Sequence, residues 1–483
     1  MAAMVELPDT GLDPRLYNAD LAPTRIAQRK WTTFNYATLW IGMAHNIPTY
    51  LMAGSFIALG MSWWVAVLTV LIGNLIVLVP ILLNSHPGTK YGIPFPVLCR
   101  ASFGVFGANI PAMLRAVVAA GWFGIESFIG GQALNAMIAS VAPGFPNLLG
   151  GAGFAGMSVS MWITFLAFWG LNIWIIYHGM EAIRRFEWWA GPLVLLLAIG
   201  LLTWAISAAH GLGPILSQPS KPGAGAVFIP SLVGVIAFWA TLSLNIPDFT
   251  RFARSQRDQW VGQTVALPTT MAVFAGFGVL ITSASMVVYH KAIWNPVVLM
   301  GQFHNTFVEF IGLGAIVLAT LSVNVAANVV SPSYDISNLF PRRLRFEHGG
   351  LITGIAAILM VPWKLMSDPH IYIFDWLGIY GGALGPIAAI LIADYWVFRR
   401  RTLALRDLYE VQGRYRYTGG FNWNAIVALA AGIFVALIGD VVPALAGLAT
   451  YSWFVGFAVS FGVYLGLMYS RSGATTLVPE VST

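Results

Sequence analysis

Long, almost unbroken apolar runs, such as residues 63–83, 192–206 and 425–438, constrain this chain more than any other feature. In lipid, only helices and closed barrels satisfy every backbone polar group. A barrel would show segments of about ten residues that alternate in polarity, and these runs do not alternate. The chain therefore reads as an all-α integral membrane protein. Charge agrees: 58% of its 483 residues are hydrophobic and 9% are charged, where a soluble domain carries about a quarter. So little charge excludes a soluble globule of this size. One cysteine, Cys99, excludes a disulfide framework and any cysteine-based metal site.

A crossing helix needs about 20 apolar residues. Twelve spans fit: 33–59, 62–84, 108–139, 157–178, 187–208, 228–248, 264–289, 304–330, 348–364, 371–397, 422–440 and 445–469. With the N-terminus inside, the internal segments hold 22 of the 25 Lys and Arg residues, counting Arg115 near the inner end of the third span. Only Lys221, Lys291 and Lys364 fall outside. Cytoplasmic loops carry this excess, so the arginines are topology markers. The net charge of +6 gives no support for nucleic-acid binding. The first thirty residues lack an apolar core, which predicts no cleavable signal peptide. A cell-membrane protein with both tails cytoplasmic is expected.

The first span contains Asn46-Ile47-Pro48 and the sixth contains Asn245-Ile246-Pro247. Proline removes a donor and clashes with the preceding turn, so each tripeptide predicts an interruption. The two spans are five apart, and an odd repeat length forces the second copy to be inverted. Paired interruptions in corresponding helices point to a transporter site between inverted repeats; chance repetition of a tripeptide is the other reading. The layout expected is a tail over 1–32, one repeat over 33–208, a second over 228–397, two extra helices over 422–469, and a tail over 470–483.

Glu126 lies near the middle of the third span, where a carboxylate is costly and marks a substrate or ion path. The other reading is a protonated glutamate bonded to a neighbouring helix. Trp122 is four residues earlier, on the same helical face. A carboxyl beside an aromatic plane suits a flat ligand bearing N–H donors. Trp239 in the sixth span offers a second plane, although packing explains a tryptophan equally well among nineteen. Asn46 and Asn328 each carry a donor and an acceptor that fit an amide-edged ligand, or an interhelical bond. His45 beside the first break is titratable, and its carbonyl is an equal candidate for a role. Asp248, Asp335 and Asp394 sit near internal span ends beside arginines, which predicts interfacial ion pairs or helix-end contacts. The Gly-rich segment 378–385 resembles no phosphate loop and is expected to allow close helix packing.

Four segments carry a resemblance to the nucleobase–cation symport-1 family of cytosine, uracil, allantoin and hydantoin permeases. They are Trp40-Ile41-Gly42-Met43-Ala44-His45-Asn46, Gly121-Trp122-Phe123-Gly124-Ile125-Glu126, Asn245-Ile246-Pro247-Asp248-Phe249-Thr250-Arg251-Phe252, and residues 324–328 followed by Ser331-Pro332. The resemblance covers nearly the whole chain and looks closest to the allantoin-permease branch. It implies ten helices in a five-plus-five inverted repeat, with discontinuous helices 1 and 6, plus two C-terminal helices. It also implies that Trp122 and Trp239 sandwich the ligand, with polar contacts from Asn46, from the helix-three position and from Asn328. That helix-three position is Gln in the family's hydantoin-type site and Glu126 here. An ionised Glu only accepts hydrogen bonds, whereas a protonated one also donates, so proton occupancy is open to coupling.

The family's sodium site falls, by resemblance, on the Gly42 and His45 carbonyls and on Ala319, Ser322 and the following residue. That residue is a Thr in sodium-coupled members and Val323 here, one hard oxygen fewer. The coupling ion is thus H+ or Na+, and no other cofactor is expected. The function implied is secondary active import of a small planar cyclic amide, such as a nucleobase (uracil, cytosine), allantoin or a hydantoin. An amino-acid or amine symporter on the same fold is the alternative. No catalytic constellation and no nucleotide-binding motif is visible, so neither an enzyme nor ATP-driven transport is expected. The partners expected are a nucleobase or ureide and the lipid bilayer, with no nucleic acid and no protein partner.

Overall fold

A computed structural model describes residues 4–7, 11–177 and 180–472, without the side chains of 180–191, 193, 326, 471 and 472. The side chains of the topology markers Arg184, Arg185 and Arg471, and the tail beyond 472, lie outside the described residues.

Among the described residues, twelve helical spans are present. Helix 1 comes in two halves, Thr33–Ala44 and Ile47–Ala58. Helix 2 is Trp63–Tyr91, helix 3 Asn109–Val141, helix 4 Val159–Tyr177 and helix 5 Met180–Ala208. Helix 6 is broken into Phe228–Phe238, Ala240–Asn245 and Pro247–Thr250. Helix 7 is Gln256–Tyr289, helix 8 Thr306–Asn328 with the extension Val330–Leu339, and helix 9 Phe346–Leu359. Helix 10 joins Ile371–Gly378, Ile379–Ile392 and Ala393–Phe398, with π-helical turns at both ends. Helices 11 and 12 are Trp423–Val441 and Ser452–Ser472. Among the described residues, eight of the spans contain a helix long and apolar enough to cross a membrane, and spans 1, 6 and 9 contain shorter apolar helices.

Helix 2 outruns the sequence expectation at its inner end and helix 7 starts eight residues before it. The backbone stays helical past the apolar stretch because side chains there bind other inner ends. Gln256, for example, donates to the His86 carbonyl at 2.9 Å.

The packing is symmetric under exchange of helix n with helix n + 5. Helix 1 packs on helix 7, and helix 6 packs on helix 2. Helix 3 packs on helices 4 and 9, and helix 8 on helices 9 and 4, while helices 3 and 8 pack on each other. Helix 5 touches 7 and 8 as helix 10 touches 2 and 3. The start of helix 1 and the end of helix 6 lie side by side, with Trp31 N–H bonded to the Phe252 carbonyl at 2.9 Å. Helix 6 therefore finishes on the face where helix 1 begins, which is the inverted arrangement.

The two tripeptides do different work. Asn46 caps the second half of helix 1 by accepting from Thr49 N–H at 2.6 Å, and Pro48 sits in its first turn, where a missing N–H costs nothing. Helix 6 is interrupted twice, at Trp239 (φ −99°, ψ 5°), eight residues before Pro247, and again at Ile246 within the tripeptide. Pro247 starts only a final short turn, and Asn245 reaches across to the Ser331 hydroxyl. Both tripeptides coincide with a helix break as expected, and helix 6 carries a further, unexpected break at Trp239.

The N-terminal segment is packed rather than a free tail. Leu16 and Leu21 are buried with Leu403, Leu408 and Tyr409 of the loop after helix 10.

Candidate functional site

Glu126 stands at the midpoint of helix 3 and is 2% exposed. Its Oε2 has no hydrogen-bond partner among the described residues. Buried polar atoms are nearly always paired, so an orphan in mid-membrane calls for an explanation. Trp122, one turn earlier, is ringed by aromatic edges. Phe238, Tyr372, Trp376 and Tyr380 meet it at centroid distances of 5.0–6.3 Å, all T-shaped. Its indole N–H donates to the Tyr380 hydroxyl at 3.2 Å.

Two glycines make this packing possible. A Cβ at Gly121 would stand 2.2 Å from the Trp376 ring, and one at Gly124 would stand 2.8 Å from the Ala357 carbonyl. The segment 121–126 thus reads as two close approaches, one aromatic plane and one carboxyl.

Trp239 sits at the break of helix 6 and is buried, and its indole N–H is unpartnered among the described residues. It meets Trp40 edge-on at 5.2 Å and Phe238 at 5.0 Å. Phe238 touches both Trp122 and Trp239, so the two indoles share one neighbour; no direct contact between them is recorded among the described residues.

Asn46 is buried at the break of helix 1 with both amide ends in use. Its Oδ1 takes Thr49 N–H and its Nδ2 donates to the Met43 carbonyl at 2.6 Å. Asn328 donates to Asn324 Oδ1 at 3.1 Å, and Asn324 donates to Ser127 Oγ at 3.1 Å and to the Phe123 carbonyl at 3.3 Å. Helix 8 is thereby tied to the two residues flanking Glu126 by one turn and by one position.

The first half of helix 1 touches helix 8, as a cation site between them requires. The helix ends at His45, so its last carbonyls lack regular partners. Among the described residues, no backbone N–H donates to the Gly42 or His45 carbonyl. Ala319 and Ser322 are buried on helix 8, and half-buried Val323 brings no oxygen side chain. The His45 ring packs on Phe274 at 5.0 Å.

The three aspartates near inner ends are buried rather than interfacial. Asp335 pairs with Arg115 at 3.4 Å between helices 8 and 3, both fully buried. Asp394 takes Arg399 at 2.7 Å, Ser102 and Tyr464. Asp248 accepts from Phe95 N–H at 2.8 Å, at the start of the helix Phe95–Phe103. The reason is the loop architecture: that helix and the segment after helix 10 fold over the inner ends and seal them from water.

Sequence reasoning missed Tyr372, Trp376 and Tyr380 on helix 10 and Asn324 on helix 8. Tyr372 also donates to the Pro48 carbonyl at 3.4 Å, just past the break of helix 1. Tyr372 and Trp376 lie in the first π-helical turn of helix 10, a distortion frequent at functional sites. Proximity of Asn324 to Asn328 at i, i+4 was the one usable signal.

Broken helices 1 and 6 crossing beside a buried carboxyl, within an inverted repeat, define a multi-pass membrane transporter. The family model for permeases of cytosine/purines, uracil, thiamine and allantoin matches residues 23–456, and the chain belongs to that family. It is 44% identical to an allantoin permease of Bacillus subtilis over 97% of this chain and 96% of that protein. It is 41% identical to a purine-uracil permease of Arabidopsis thaliana, over 89% of this chain and 72% of that one. Among solved structures, MHP1, a nucleobase-cation-symport-1 family transporter in a closed conformation with bromovinylhydantoin bound, superposes with a TM-score of 0.78. It is 23% identical and covers 96% of this chain and 98% of its own.

Proposed function

We propose that the chain is a secondary active, cation-coupled symporter that imports a small planar cyclic amide by alternating access. The observation that carries this is the unpartnered Glu126 carboxyl oxygen one turn from Trp122, whose ring meets Phe238 at the helix 6 break and Tyr372, which bonds the Pro48 carbonyl past the helix 1 break. A flat heterocycle supplies what this site lacks: N–H donors for the carboxyl and a face for the rings. The relatives named for allantoin, purines and uracil support the same class. Allantoin is the first substrate to test. An amino-acid or amine symporter on this fold is not favoured: MhsT, solved in complex with L-phenylalanine, is 15% identical, against 44% for the allantoin permease.

In this reading Trp122 and Trp239 present ring faces, Glu126 accepts, and Asn328 offers its amide. Asn46 acts by holding the break open. A four-helix bundle drawn from both repeats, 33–208 and 228–397, rocks against a scaffold around the site, with 422–469 outside them. Coupling is to protons, with Glu126 as carrier. The absence of a hydroxyl at Val323 supports this over sodium at Gly42, His45, Ala319 and Ser322. The chain is a carrier rather than an enzyme, and both tails face the cytoplasm.

Competition against labelled allantoin tests the substrate class. Uracil, cytosine and hydantoin should compete, and amino acids should not. Displacement by amino acids alone would overturn the reading.

A further inference from the structure

The inner ends of helices 2, 7 and 10 meet around a feature that the transport site does not use. A cavity of about 260 Å³ is lined by His86, Lys90, Arg400 and Arg401. An apolar groove of about 320 Å³ adjoins it, sharing His86 and floored by Leu82, Leu83, Trp260 and Trp396. No acidic residue lines either one, while Arg257 adds another cation to the groove. We propose that an anionic phospholipid of the inner leaflet binds here, its phosphate in the basic cavity and an acyl chain in the groove.

The cations are held in place by backbone and rings rather than by counter-ions. Lys90 Nζ and the Tyr91 hydroxyl both donate to the Arg401 carbonyl, at 2.7 and 3.2 Å. That leaves Lys90 two further N–H donors. Arg400 and Arg401 are exposed and consecutive, with φ of +49° and +65°. Such backbone is uncommon outside glycine and persists where the surroundings enforce it, often at ligand clamps. The Arg401 guanidinium lies 5.7 Å over the Trp396 ring, where cavity and groove join.

The groove argues for a lipid over a free phosphate. Trp260 is 53% exposed in the first turns of helix 7, and tryptophans are enriched where membrane helices meet headgroups. Basic pockets between membrane helices on the cytoplasmic side recognise anionic headgroups. The inference rests on these helix ends being cytoplasmic. Because Trp396 also donates to the Leu83 carbonyl at 3.1 Å, a lipid seated here would reinforce the join between helix 10 and helix 2.

The test is native mass spectrometry of the purified full chain with added dioleoyl-phosphatidylglycerol, dioleoyl-phosphatidylcholine or inorganic phosphate. Phosphatidylglycerol should be retained about tenfold over phosphatidylcholine, as expected for headgroup charge on clustered cations. The double variant Arg400→Gln/Arg401→Gln should lose that preference while melting like the wild type, since the carbonyl that anchors Lys90 remains. Trp260→Ala should weaken retention of the dioleoyl lipid and spare a dihexanoyl analogue. Equal retention of the two lipids, or full preference in the double variant, overturns the proposal. Complete displacement of phosphatidylglycerol by inorganic phosphate overturns it too, by identifying a soluble anion as the ligand.

Discussion

The Trp122 indole on helix 3 donates to the Tyr380 hydroxyl on helix 10 at 3.2 Å. The bond fixes the plane of the ring that is proposed to stack on substrate. Tyr380→Phe should leave the stack and free its orientation. The expected loss is about 1 kcal/mol, a neutral hydrogen bond's worth and roughly fivefold in affinity. Trp122→Ala should abolish binding. Such truncations cost about 3–5 kcal/mol of stability, so Trp122→Phe serves as the folded control with weakened binding. Unchanged allantoin affinity in Trp122→Ala would remove the stacking role.

Glu126→Gln keeps size and removes the exchangeable proton. Uptake by the wild type should fall as external pH rises, while the variant should show a flat profile and no accumulation against a gradient. A variant that retains the full pH dependence would show that the proton is carried elsewhere.

Asn324 has no proposed contact with substrate, yet it links Asn328 to Ser127 and Phe123. Asn324→Ala strands a buried amide oxygen's partner and loosens helix 8 from helix 3. It should lower stability by about 1–3 kcal/mol, more than Asn328→Ala does. Thermal melts in detergent decide: equal melting temperatures for the two variants would deny Asn324 that hub position.

Asp335→Ala leaves Arg115 as a buried, unpaired charge, which typically costs about 3–5 kcal/mol. Replacing both, as Arg115→Met with Asp335→Leu, should recover part of that stability, because the pair's charges leave together while buried Asp248 loses the nearby Arg115 charge. If the double variant melts below the single one, the pair contributes more than mutual neutralisation.

How far the sequence reveals this arrangement depends on how rare each signal is. Twelve spans are legible because apolar length is a strong signal and the basic residues gather at one set of span ends. Glu126 is legible because mid-membrane carboxylates are scarce. The further break in helix 6 is not, because proline dominates the local reading and Trp239 ends a helical segment without Pro or Gly. Tyr372, Trp376 and Tyr380 are hidden by abundance. In a chain with nineteen Trp and sixteen Tyr, no aromatic residue stands out. Their convergence on Trp122 follows from the π-helical turn and from Gly121, which only the tertiary structure connects. Burial of Asp248, Asp335 and Asp394 depends on segments that fold back over the inner face, distant in sequence from what they cover.

Uptake of labelled allantoin tests the central claim most directly. Cells lacking their own permeases would express the chain at a verified surface level. Allantoin should accumulate above its external concentration, persist when sodium is removed, and collapse when the proton gradient is dissipated. No accumulation of allantoin, uracil, cytosine or hydantoin under these conditions would contradict cation-coupled import of a planar cyclic amide.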